Sequence, residues 1–140
     1  MTDRQTLSDL LEKVRACEGA DRELDSAIEV AIRWIEAARY GIKPEHRASW
    51  RASAGGYVED PHTRYESARV TASLDAALAL AERVLTKGGR PALQQASDGT
   101  WSASVGVQGG GRVCGLAAPT PALALLAALL TALLAEEAGK

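Results

Sequence analysis

Between Gly41 and Arg69 the chain gathers residue types that suit an aromatic, anionic ligand: Trp50, Tyr57 and Tyr65 stand among Lys43, Arg47, Arg51, Arg64 and Arg69. Aromatic faces stack on nucleobases and the Arg fork pairs bidentately with phosphate oxygens, so the mixture fits a nucleotide or a single-stranded nucleic acid. With three Trp, three Tyr and no Phe in the whole chain, half of its aromatics fall in this one segment. The same segment also carries Glu45, Glu59, Asp60 and Glu66. A second reading therefore has Trp50 and a Tyr plugging the segment into the core under a solvated rim of mixed charge. Thr71 and Ser73 precede one apolar-periodic stretch and Thr120 another, which marks two helix N-termini whose free N–H groups and dipole attract anions. Simple capping accounts for the same residues, and Asp75 would repel an anion at the first terminus. The candidate ligand-binding set is thus Arg47, Trp50, Arg51, Tyr57, Arg64, Tyr65, Arg69, Thr71, Ser73 and Thr120.

The catalytic inventory is thin. His46 and His62 are the only histidines, neither has a second His at metal-ligand spacing, and although Glu59 and Asp60 lie close to His62, no H-E-x-x-H pattern occurs. A G-x-S-x-G nucleophile elbow is likewise missing, and neither cysteine sits in a basic or His-containing motif that would activate it. Cys17 and Cys114, far apart and in no C-x-x-C arrangement, read as buried or idle thiols of a reduced compartment. Gly109, Gly110 and Gly111 mimic a phosphate loop, but they lie between two strands rather than between strand and helix, so they read as a hairpin turn. No catalytic residue, metal or cofactor is expected.

The elements that must position these residues follow from periodicity. Leu7, Leu10, Leu11 and Val14 line one face of a helix from about Thr6 to Cys17. Asp21 caps a second, with Leu24, Ile28, Ile32 and Ile35 as its core stripe, and Gly41 and Pro44 end it near Tyr40. Residues 41–69 show no sustained period and read as a long loop with at most a short strand. Ser73 opens a third helix through Leu74, Ala77, Leu78, Ala81 and Leu85, stopped by Gly88 and Gly89. Three strands come next: one from about Ala92, one through Trp101, Ala103, Val105 and Val107 after the Asp98-Gly99 turn, and one from Arg112 to Ala117. Thr120 and Pro121 start a last helix, apolar nearly all round. That suggests burial on several sides, by the sheet and by other helices or a second copy of the chain.

Length and charge bound the whole. A chain of 140 residues fits one domain, burying roughly two thirds of its unfolded surface. A formal charge of −2 provides no global field toward duplex DNA or anionic lipid. Early charged residues leave no signal-peptide core, and the apolar run from Pro121 to Ala135 is short of the roughly 20 residues a membrane span needs, so a cytoplasmic protein is expected.

Three segments carry a family likeness: DRELDSAI at 21–28, VTASLDAALAL at 70–80 and APTPALALLAAL at 118–129. In this order they resemble the phage ABA sandwich domain, with its Asp-Arg-Glu-Leu-Asp-like helix, its Tyr-Thr-x-Ser-x-Asp-Ala-Ala segment and its C-terminal Thr-Pro-Ala-Leu-Ala-Leu helix. Val70 departs from it, standing where the family usually has Tyr. The resemblance implies an α/β/α sandwich in a phage or prophage protein and supplies no activity.

The expectation is a single α+β domain over residues 1–140, an α/β/α sandwich with a three-stranded antiparallel meander packed between helices. Three functional readings stay open. The first is a phage accessory binding module that sequesters a small phosphorylated or nucleotide ligand, with an anti-defence role suggested by the phage setting. The second is an oligomeric structural or protein-interaction domain working through the terminal helix, and the third an unfamiliar nucleotide hydrolase.

Overall fold

The structure, a computed structural model, describes residues 3–47, 50–85, 90–107 and 111–138. Three of its helices start at the capping residues read from the sequence, while the first helix begins at Asp3, ahead of the expected Thr6. Asp21 accepts the Leu24 N–H at 3.0 Å at the head of α2 (Arg22–Arg39), after α1 (Asp3–Ala16). Ser73 accepts the Ala76 N–H at 3.2 Å for α4 (Leu74–Val84), and Thr120 accepts the Leu123 N–H at 3.2 Å for α5 (Pro121–Ala138). Gly41 adopts the left-handed φ of +78° just past α2, a conformation that costs glycine nothing. The expected stripes of α1 and α2 are both buried.

The meander is also as expected, in the order β4 (Ala92–Gln95), β5 (Trp101–Gly106), β6 (Arg112–Ala118), antiparallel throughout. Leu93, Ala103, Val105 and Val113 turn inward onto the core, while Gln94, Ser102, Ser104 and Cys114 alternate onto the opposite face. Its inner face rests on α5, and α1 and α4 pack against α5 as well. The terminal helix is therefore the innermost element of the mixed α+β fold. From Ala122 to Leu130 every residue of α5 is at most 5% exposed, and its alanines let strands and helices approach closely on different sides. The all-round apolar character that raised the idea of a second copy is satisfied within one chain. Among the described residues no helix is long and apolar enough to cross a membrane.

The long loop expected over 41–69 is corrected. A short helix, α3 (Pro44–Arg47), leads into a second antiparallel sheet, β1 (Arg51–Ser53), β2 (Tyr57–Glu59) and β3 (Arg64–Glu66), in that order. Each strand has three residues, too few to show alternation, and one fully buried side chain, Val58, anchors the sheet. Gly55 and Gly56 turn β1 into β2 with φ of +80° and +88°. The second turn is tied by Asp60, which accepts the N–H groups of His62 and Thr63. This sheet packs through β1 and β2 on α2.

Candidate functional site

The second sheet brings Trp50 and Tyr65 together over one face of α2. Their rings meet edge to face, 6.2 Å between centroids, and the Arg33 guanidinium lies 4.3 Å from the Trp50 centroid and 5.0 Å from that of Tyr65. Arg33 also donates through Nε to the Tyr65 hydroxyl, which donates in turn to Glu29 at 3.2 Å. Burial pushes the Tyr65 hydroxyl above its usual pKa, and the neighbouring Glu29 charge adds to the rise. From α4, Arg83 reaches Glu29 at 3.1 Å and pairs with Glu36 on the same side of α2. These hydrogen bonds, that with Glu36 foremost, hold the Arg83 charge more firmly than usual. The arrangement clamps α2, α4 and the small sheet together.

The other sequence-derived candidates are scattered along this surface. Arg51 and Arg64 share the carboxylate of Glu59 at 3.0 and 3.6 Å, Arg69 meets Glu66 at 3.1 Å, and all three arginine side chains are exposed. Arg64 also covers a face of Tyr57 at 3.9 Å. Exposed pairs of this kind contribute at most about 1 kcal/mol, so they would yield to a phosphate, but Glu59 and Glu66 would then face the incoming anion unpaired. Arg47 closes α3, and its side chain lies outside the described set.

Thr71 is a structural residue here, 1% exposed. Its N–H and hydroxyl both bond Asp25, at 2.8 and 2.7 Å, while the Asp21 N–H donates to that hydroxyl at 2.8 Å. Arg22 completes the knot, pairing with Asp25 at 2.7 Å and with Glu66 and the Ser67 carbonyl at 3.0 Å. Two of the three sequence motifs, at 21–28 and 70–80, thus interlock physically. Ser73 and Thr120 spend their hydroxyls as caps. Both His46 and His62 are exposed, and among the described residues no three His, Cys, Asp or Glu side chains converge on a metal position.

A second place was not read from the sequence. A pocket of 380 Å³ opens between the last turn of α1 (Val14, Arg15), the end of β6 (Cys114, Ala117, Ala118) and the first turns of α5 (Leu123, Ala127). Two steps along β5, from Trp101 to Ala103, oppose three along β6, from Ala118 to Gly115, which is a β-bulge. Ala117 lies inside it with a φ of +54°, left-handed backbone that an alanine rarely adopts. Of the two states expected for the thiols, buried or idle, burial does not hold for Cys114, which is free and exposed beside the pocket; Cys17 is half-buried and donates to the Gly19 carbonyl at 2.9 Å. Nothing local announces this pocket, because Arg15, Cys114 and Ala127 become neighbours only through packing. Gly109 and Gly110 lie outside the described residues; on either side of them the Val107 N–H donates to the Gly111 carbonyl at 2.8 Å.

The chain matches no family profile, no curated protein and no solved structure. The likeness to the phage ABA sandwich domain accordingly rests on the three motifs alone. What fold and site define is a class: an α+β domain in which one antiparallel sheet packs on a central helix and a second, smaller one packs on α2, with a pocket beside a strand edge that has no further strand paired to it among the described residues.

Proposed function

We propose that the protein is a non-catalytic binding module that engages another polypeptide through the β4–β6 meander. One observation carries the reading: the pocket lies against β6, which among the described residues is an edge strand paired on one side only. Strand edges hold unpaired backbone donors and acceptors that other chains recognise, and a pocket alongside adds side-chain selection. The phage or prophage setting, and action in the host cytoplasm, follow from the motif likeness.

A small phosphorylated or nucleotide ligand held by the α2 and small-sheet surface is the second reading, and the Arg33, Trp50 and Tyr65 stack favours it. Two measurements separate them. Panning a displayed library of random octapeptides against the immobilised protein should recover binders, whereas calorimetric titration with mono-, di- and cyclic oligonucleotides and a short single-stranded DNA should give no heat. Nucleotide heat that disappears in Trp50→Ala and Arg64→Ala variants of unchanged stability, with no peptide recovered, would transfer the assignment to the second reading.

A further inference from the structure

We infer that the β6 edge takes up a short extended segment of a partner protein as a fourth antiparallel strand, with an acidic side chain of that segment placed against Arg15. This rests on the polypeptide-binding reading above and specifies its ligand. The first support is the hydrogen-bond phase of the ladder. The Val107 to Gly111 bond fixes a hydrogen-bonded pair, and the register runs Gly106 to Arg112, Val105 to Val113, Ser104 to Cys114 and Ala103 to Gly115. Since bonded and non-bonded pairs alternate in an antiparallel ladder, Val113 and Gly115 spend their backbone groups on β5, while Arg112 and Cys114 aim theirs at the open edge. An extended chain laid along that edge would meet those groups at the spacing of a ladder.

The surroundings select the occupant. Across the pocket from the end of β6 stands the last turn of α1, with Leu123 and Ala127 of α5 as the floor. The floor of Leu123 and Ala127 is apolar, which suits one side chain of the incoming strand, since alternate residues point to the same face. The Arg15 side chain is exposed and, among the described residues, makes no ion pair or hydrogen bond, so it offers a carboxylate an uncontested cation. Antiparallel addition, the more stable mode, brings the N-terminal part of the ligand to the pocket. The carboxylate there comes from an Asp or Glu side chain rather than from a chain terminus. The bulge at Ala117 breaks the regular edge and keeps the added strand short.

The test uses octapeptides recovered by panning, measured by fluorescence polarisation against the full chain. Cys114→Pro removes a backbone N–H that points away from β5, so the meander keeps its ladder while the open edge loses a donor. We expect enriched peptides to share an acidic position, to bind Cys114→Pro at least about tenfold more weakly, and to lose about tenfold on Arg15→Glu, a surface change that leaves the thermal midpoint in place. A Lys at the acidic position should restore binding to Arg15→Glu, an effect that misfolding cannot mimic. Peptides that bind both variants like the wild type would overturn this inference and leave the polypeptide-binding reading standing. Failure to recover any peptide overturns both. Dependence on a free C-terminal carboxylate instead of an acidic side chain, or a wild-type dimer that Cys114→Pro dissociates, also overturns it.

Discussion

Asp25 accepts three bonds, from the Thr71 N–H, the Thr71 hydroxyl and Arg22, in a site with 1% exposure. A buried carboxylate so satisfied is costly to remove, because its partners stay behind without acceptors. Asp25→Ala should lower unfolding stability by about 3 kcal/mol in urea titration, and Asp25→Asn by less, since one carboxamide oxygen still serves Thr71. Tyr65 gives the pH prediction. Burial raises its folded-state pKa above the ordinary value of 10, so the folded protein holds the phenol proton where the unfolded chain releases it. The stability this contributes is complete below pH 10 and is lost as pH rises through the higher folded value. Urea midpoints should fall in that alkaline window for the wild type, and the fall should be smaller in Tyr65→Phe. At this scale the sequence showed which side chains were chemically interesting, but not their roles. Trp50 and Tyr65 were visible as rare aromatics, whereas Arg33, seventeen positions before Trp50 on another element, stood out from no local pattern.

Helices α2 and α4 were legible because each has both a period and a cap, α1 through its apolar period and α5 through its cap and continuous apolar run. The small sheet was not, because three-residue strands fall below the length at which alternation differs from chance, and its turn glycines look like those of any loop. Its strands are held by one buried valine, a tyrosine–arginine clamp and the Arg22 knot, all long-range. The central helix gives the sharpest element-scale expectation. Leu126 is 0% exposed, so Leu126→Ala should cost roughly 2–5 kcal/mol by thermal or denaturant unfolding, the range for a buried leucine with limited room to relax. An unchanged midpoint would contradict the central position of α5.

The whole molecule satisfies α5 internally, between the meander on one side and α1 and α4 on the other. Static light scattering of the unliganded protein should therefore give the single-chain mass across a broad concentration range; a dimer that survives dilution would require an interface other than this helix. By itself the sequence determined the α+β class, the four long helices, the three-strand meander and the thinness of the catalytic inventory. Those features follow from side-chain period, capping chemistry and residue types, all of which act over a few neighbouring positions. Tertiary structure alone decided that the terminal helix is the innermost element, that 41–69 folds as a second sheet, and that Arg15 and Cys114 share a pocket. Each of these depends on which apolar surface finds which across tens of residues, and a local pattern records that a face must be buried without recording what buries it.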